Sequence, residues 1–351
     1  MAESRLITIS KAELDPNPVQ TGKSYIVRVT LEKKAYRLDY PYDYAHDYAK
    51  GDESMSVKTV QAVINGQTYT LTKNTSTGKY EATITAPSKS SYTLSGHYYP
   101  VTVKATDDAG NVTTKDATDS TLGASLRLQV KEKVVPVITI TAPTASQYLA
   151  NSTPAIAWKI TDDDSGVNPS TIALKVDGTA VDTSKITKTA VTGGYTCSYT
   201  PASALSDGAH TVVATASDYD GNAAAQKSVT FTVDTIPPTL SISAPAEGFI
   251  TNKSTVTVKG TTDDATSKPV TVTVNGAPIP VTLSGTFSND VTLKEGSNTI
   301  TIVAKDKAGK TTTVTRTVKL DTAPPVIKSA TITPNPVDCG KTFVISVEVT
   351  D

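Results

Sequence analysis

The sequence predicts an all-β protein built as a row of small antiparallel sandwiches. Three observations carry that expectation: short alternating runs rich in Val, Thr and Ala, hairpin dipeptides between them, and a proline-marked hinge that recurs. Runs of this kind suit half-buried strands that pack one face into a modest core. The hinge reads Val233-Asp234-Thr235-Ile236-Pro237-Pro238, returns as Leu320-Asp321-Thr322-Ala323-Pro324-Pro325, and has a looser copy from Val130 to Pro136. Proline fixes φ and offers no N–H to a ladder, so a Pro-Pro step ends sheet pairing and stiffens the connection. Four blocks follow: 1–133, 134–234, 235–321 and an incomplete 322–351.

Totals narrow the function classes. The chain has 351 residues, 38% hydrophobic and only 6% aromatic, with a net charge of −1. Acids and bases are interspersed, which gives no electrostatic case for nucleic acid or anionic lipid. No apolar run approaches the roughly 20 residues that span a bilayer. The two cysteines, Cys197 and Cys339, fall in different blocks, so disulfides are not expected. Met1 leads directly into the strand Leu6-Ile7-Thr8-Ile9, without a basic and apolar export signal. That start predicts a chain made and folded in the cytoplasm.

Repetition orders the interior. A strand ending in an Asp-x-x-Gly turn occurs at Pro100–Asn111, His210–Asn222 and Asn298–Lys310. Upstream of each lies a two-residue hairpin signal, Asn65-Gly66, Asp177-Gly178 or Asn275-Gly276. These dipeptides tolerate the positive φ values of a type I′ turn, whose twist matches its strands.

The first block carries an insertion, residues 37–54, in which Tyr40, Tyr42, Tyr44 and Tyr48 alternate with Asp39, Asp43 and Asp47. Tyr92, Tyr98 and Tyr99 form a second group. Tyrosine combines a large rigid face with a hydroxyl and is favoured at interfaces. The insertion, with Tyr98 and Tyr99, is therefore a candidate contact surface; the other reading is a solvated loop whose rings cover a thin core. Trp158, the sole tryptophan, reads as a core plug of the second block.

The tail repeats the opening. Residues 332–350 align without a gap on 14–32, and Pro334, Asn335, Pro336, Val337, Gly340, Lys341 and Val347 match Pro16, Asn17, Pro18, Val19, Gly22, Lys23 and Val29. Two strands cannot bury their apolar face alone. The tail must continue, fold back or be completed by a partner; the Pro324-Pro325 hinge argues against fold-back, and a reading frame that ends at Asp351 would favour a partner.

Blocks of about 90–130 residues, with turn signals every 8–12 or so, read as antiparallel sandwiches. On these residues the chain resembles bacterial immunoglobulin-like domains, the modules of surface adhesins, secreted glycosidases and bacteriophage tail proteins. The resemblance implies tandem immunoglobulin-like sandwiches in an elongated rod. It is specific for fold and poor for function.

In that topology the loops after the second and sixth strands share one end with the incoming hinge. The second block then gathers Asp162, Asp163, Asp164, Asp218, Asp220 and Asn222 near Glu132. Calcium takes about six to eight oxygen ligands, which this set supplies, so calcium is the candidate ion. Turn chemistry also selects Asp, Asn and Gly in such loops. In the third block Lys307 and Lys310 stand where ligands would be, which weakens the case beside Asp263, Asp264 and Asp306.

Catalysis has no motif behind it. His46, His97 and His210 are scattered, and no zinc-protease helix, nucleophile elbow or phosphate loop is present. The expectation is a non-enzymatic protein with no cofactor beyond possible calcium. The opening Leu14–Lys23, the Tyr/Asp insertion and Thr106–Asn111 together resemble virion proteins of phages or prophages of Gram-positive hosts. That resemblance implies a tail component in the virion, assembled in the bacterial cytoplasm, whose partners are other virion subunits, itself or a host-surface glycan. The alternative is an extracellular fragment of a cell-surface adhesin or the accessory stalk of a secreted glycoside hydrolase.

Overall fold

The computed structural model describes residues 4–36 and 56–351. Strands dominate them, and the helical pieces are three 3-10 turns, Ser95–His97, Gly123–Leu126 and Thr183–Lys185. The chain packs as two compact units, residues 1–143 with 155–199 and 211–229, and residues 144–154 with 200–210 and 230–351.

In the first unit one hydrogen-bonded path runs through Ser4–Asp15, Ser24–Tyr36, Tyr80–Thr85, Gln67–Lys73, Val57–Ile64, Tyr99–Asp107 and Val112–Lys115. Period-2 alternation sends Tyr25, Val27, Val29, Val60, Ala62, Val101 and Val103 into a shared core. The two faces are stitched at one edge, where Gln67–Lys73 pairs with Val57–Ile64 and also, through Thr72 and Lys73, with Glu81 and Tyr80. A second sheet orders Val137–Ala142, Ile156–Thr161, Gly194–Tyr199 and Thr187–Val191. Trp158 is buried there between Ile156 and Ile160. Gly194 lets the backbones close, since a Cβ would stand 2.0 Å from the Ile160 carbonyl oxygen.

The second unit has a three-stranded sheet, Thr239–Ala244, Thr255–Asp263 and Thr286–Thr292. A five-stranded sheet orders Phe249–Thr251, Thr311–Leu320, Gly296–Lys305, Thr271–Val274 and Ala277–Ile279. Val258, Val272, Phe287, Ile300, Ile302 and Val318 fill the core. The protein is thus all-β, a tandem array of β-sandwiches.

Local signals in the sequence have direct structural counterparts. Asn65 and Gly66, Asp177 and Gly178, and Asn275 and Gly276 all adopt positive φ, between 48° and 83°. They close the hairpins at Ile64↔Gln67, Val176↔Thr179 and Val274↔Ala277. A further repeated device escaped the sequence reading. Just before each hinge the last strand pairs in parallel with a short early one, at Val130↔Val19, Val233↔Leu149 and Leu320↔Thr251. The ladder continues by one bond into the hinge acid, from Asp234 N to Leu149 O and from Asp321 N to Thr251 O, each 2.9 Å.

The tail reproduces the opening hairpin residue for residue. Leu14↔Val27 and Ala12↔Val29 have counterparts in Ile332↔Ile345 and Ala330↔Val347, and the bulge between Ile9 and Lys11 returns between Ile327 and Ser329. Burial does not follow. Val27 and Val29 are 0% exposed, whereas Ile345 and Val347 are 61% and 50% exposed. The tail strands pair with each other and keep an open apolar face, so fold-back onto the third sandwich is not the arrangement.

Two outcomes test this packing. Trp158→Ala should cost about 3–5 kcal/mol, the range for emptying an aromatic core site, read as a lowered denaturant midpoint; a loss under about 1 kcal/mol would show the site is not core. Burial pushes the Cys197 thiol up to about 11, while Cys339 is exposed. At pH 8 iodoacetamide should therefore label one thiol per native chain, located at Cys339 by peptide mapping, with Cys197 reacting only on unfolding. Equal labelling of both native thiols would contradict the packing.

Candidate functional site

The site is built on the Asp-x-x-Gly turn. In all three copies the aspartate's Oδ1 accepts the backbone N–H four residues on: Asn111 to Asp107 at 2.8 Å, Asn222 to Asp218 at 2.7 Å and Lys310 to Asp306 at 2.8 Å. Each aspartate N–H returns a bond of 3.1 Å to the carbonyl of the same residue. Gly110, Gly221 and Gly309, all near φ +90°, make the turn possible. Reciprocal bonding of this kind fixes the carboxylate and leaves its second oxygen as the variable part. In the first two copies that oxygen accepts the asparagine side-chain amide, at 2.9 Å on Asp107 and 2.7 Å on Asp218. These bonds hold the Asp107 carboxyl below its ordinary range, against the opposing effect of burial.

At the first hinge, Glu132, Asp162 and Asp218 each bring a carboxylate oxygen within 4.8 Å of the others. They are 3%, 6% and 1% exposed. Glu132 Oε1 accepts the Ser165 N–H at 2.7 Å, and Asp162 Oδ1 accepts those of Gly166 at 2.7 Å and Asp164 at 3.1 Å. Their second oxygens, Glu132 Oε2 and Asp162 Oδ2, are buried without a hydrogen-bond partner. Burial pushes the Glu132 carboxyl above its ordinary value; Ser165 opposes the rise, and the nearby Asp162 and Asp164 charges add to it. Among the described residues no lysine or arginine forms an ion pair with the cluster. An all-oxygen set with two unsatisfied carboxylate oxygens has the chemistry of a hard-cation site, and Glu132, Asp162 and Asp218 are the residues able to hold the ion.

The other residues expected at this site have separate roles. Asp220 Oδ2 accepts the Glu132 N–H at 3.0 Å, and the Asn222 amide donates to the Glu132 carbonyl at 3.2 Å. Asp164 Oδ1 accepts the Ser90 N–H at 3.0 Å. Asp163 is exposed, and its carbonyl accepts from Lys89 at 3.3 Å. The loop is further pinned by stacked rings: Tyr92 lies 4.2 Å from His97 on one face and 4.2 Å from Tyr219 on the other.

Of the tyrosines expected to make contacts, Tyr40, Tyr42, Tyr44 and Tyr48 lie outside the described residues. Tyr99 is buried in the first core, its hydroxyl donating to the Lys89 carbonyl at 3.2 Å. Tyr98 is half-buried with the Arg127 guanidinium 5.0 Å from its ring centre.

A second cluster joins Asp234, Asp264 and Asp306, again within 4.8 Å of one another and all buried. Asp263, expected here, is exposed and paired with Lys268 at 2.8 Å.

Comparison with known proteins adds family information for the middle of the chain. Residues 138–235 match the bacterial Ig-like domain family, and residues 238–322 match glucodextranase, domain B. Bacillopeptidase F of Bacillus subtilis is 37% identical over 123 residues, which is 35% of this chain and 8% of that protein. Chitinase ChiA of Flavobacterium johnsoniae is 27% identical over 204 residues, 53% of this chain and 12% of that protein. Among solved structures, three immunoglobulin domains of titin, I67–I69, align over 92% of this chain and 99% of theirs, with 12% identity and a TM-score of 0.43. With the sheets described above, the two family matches make the chain a protein of repeated immunoglobulin-like domains.

Proposed function

We propose that the chain is a non-catalytic segment of an extracellular protein, either the accessory stalk of a secreted hydrolase or part of a cell-surface adhesin. Its tandem modules are 1–133, 134–234, 235–321 and 322–351, the last being the opening pair of strands of a further module. One observation carries the reading: the 37% match to a stretch that makes up 8% of Bacillopeptidase F, a small part of a much longer chain. The matched stretches 138–235 and 238–322 also begin and end close to the hinge prolines Pro136, Pro237 and Pro324, which supports the module boundaries. The described histidines are engaged locally: His97 stacks on Tyr92 and contacts its carbonyl, and His210 Nε2 lies 2.7 Å from the Ser206 carbonyl. No helix among the described residues is long and apolar enough to cross a membrane.

The matched relatives favour this alternative over a phage or prophage tail role, which draws only on the resemblance of the opening segment, the insertion and Thr106–Asn111. The Tyr/Asp insertion stays the proposed contact surface, for a surface glycan or another subunit.

Within that role, the Glu132–Asp162–Asp218 cluster is a calcium site that stiffens the first hinge. Bound calcium would supply the positive charge that the buried carboxylates lack, with Glu132 tying the hinge to the loops carrying Asp162 and Asp218.

Two experiments test the reading. Incubated with casein, colloidal chitin and dextran, the full chain is expected to release no product; turnover that survives repurification and disappears on replacing a buried carboxylate would overturn the non-catalytic reading. In thermal melts followed by Trp158 fluorescence, calcium at about a hundred times its Kd should add roughly 2.7 kcal/mol over a chelator control. Glu132→Gln should remove the share of that gain that comes from the first hinge and, in chelator, melt a few degrees above the parent, because a buried repulsive charge is gone. Identical melts in calcium and chelator would contradict the calcium role.

A further inference from the structure

We propose that Asp234, Asp264 and Asp306 form a second hard-divalent-cation site, of the calcium class, at the second hinge. It shares its chemistry with the Glu132 cluster but none of its residues, so either site can fail alone.

Lys307 and Lys310 count against an ion here when only the sequence is read, and the structure removes both objections. Lys307 Nζ lies 5.0 Å from the ring centre of Tyr148. Lys310 contributes its backbone N–H to Asp306 Oδ1, at 2.8 Å. Among the described residues no lysine or arginine forms an ion pair with Asp234, Asp264 or Asp306. Replacing asparagine with Lys310 has the opposite consequence from the expected one. In the first two copies the asparagine amide occupies the second oxygen of Asp107 and of Asp218. Lysine brings no such amide, and Asp306 Oδ2 is left buried and unpartnered on a residue only 5% exposed.

The other two carboxylates are positioned by one short loop. Asp264 Oδ1 accepts the N–H groups of Thr266 at 2.7 Å and Ser267 at 2.6 Å. The Ser267 hydroxyl donates to Asp234 Oδ2, and the Ile236 N–H reaches Asp234 Oδ1 at 3.3 Å. Asp234 is itself held at the end of the parallel ladder by its bond to Leu149. Three carboxylates at 1%, 5% and 5% exposure thus face one another out of water, and a bound cation would offset the cost of burying them. The cluster contains no histidine or cysteine, which selects a hard cation over zinc or copper. Oxygens on opposite sides of a calcium ion lie about 4.6–5.2 Å apart, so a set confined within 4.8 Å fits one coordination sphere.

Calorimetric titration of chelator-stripped full chain with calcium chloride tests this. The parent is expected to bind two ions, Asp306→Asn one, Asp218→Asn one, and the double variant none. Asparagine at 306 retains an oxygen for the Lys310 N–H, so the turn is kept. Far-UV circular dichroism checks the fold, and Asp264→Asn is an independent second variant expected to give the same loss. One ion in the parent, lost in Asp218→Asn and kept in Asp306→Asn, would overturn the second site and leave the first standing. One ion lost only in Asp306→Asn and Asp264→Asn would sustain the second site and overturn the first. Two ions retained in both Asp306→Asn and Asp264→Asn would overturn the second, and no binding by the parent would overturn both.

Discussion

Six carboxylates buried in two clusters, with no lysine or arginine ion-paired to them among the described residues, are the constraint around which these loops are arranged. An isolated ionised carboxylate cannot be taken out of water cheaply; it pairs, protonates or binds a cation. Backbone N–H groups from Ser165, Gly166, Thr266 and Ser267 offset part of the cost by donating to Glu132, Asp162 and Asp264. They satisfy some oxygens and leave Glu132 Oε2, Asp162 Oδ2 and Asp306 Oδ2 without partners. Carboxylates fixed this firmly, with no lysine or arginine ion-paired to them among the described residues, are the observation on which the proposed calcium sites rest.

The same local motif gives different results according to its neighbours. All three Asp-x-x-Gly turns close through the same pair of bonds, so each is first a structural device. Asp107 has its second oxygen occupied by Asn111 and, among the described residues, joins no carboxylate cluster. Asp218 and Asp306 become parts of clusters because a hinge acid, Glu132 or Asp234, is delivered beside them. Delivery depends on the end of the last strand, where Val130–Lys131 pairs with Val19–Gln20 and Val233 with Leu149. The carboxylate clusters therefore arise at the hinge, through a turn the fold already needs.

Much of this was legible in the sequence because it is local. Asn-Gly and Asp-Gly hairpins, the Asp-x-x-Gly turns and the tail's repetition of the opening all depend on a few adjacent residues, and their geometry follows from φ preferences. The gathering of Glu132, Asp162 and Asp218 was accessible too, since it needs only the topology of a sandwich. What sequence did not reveal was direction. In sequence Lys307 and Lys310 stand where ligands would be, yet the side chain of Lys307 runs to Tyr148, and Lys310 bonds Asp306 through its backbone N–H. Asp163 groups with its neighbours in sequence although its loop leaves it exposed, and Tyr99 reads as a contact ring although strand alternation sends it into the core. The single path of the first block depends on two cross-strand pairs at an edge, which no sequence pattern announces.

The most direct measurement is anomalous diffraction from crystals of the full chain grown with calcium and exchanged into a lanthanide. The expected result is two strong anomalous peaks, one bounded by Glu132, Asp162 and Asp218 and one by Asp234, Asp264 and Asp306. Density that contains only water at both places, with the carboxylates hydrogen-bonded to one another through shared protons, would contradict it.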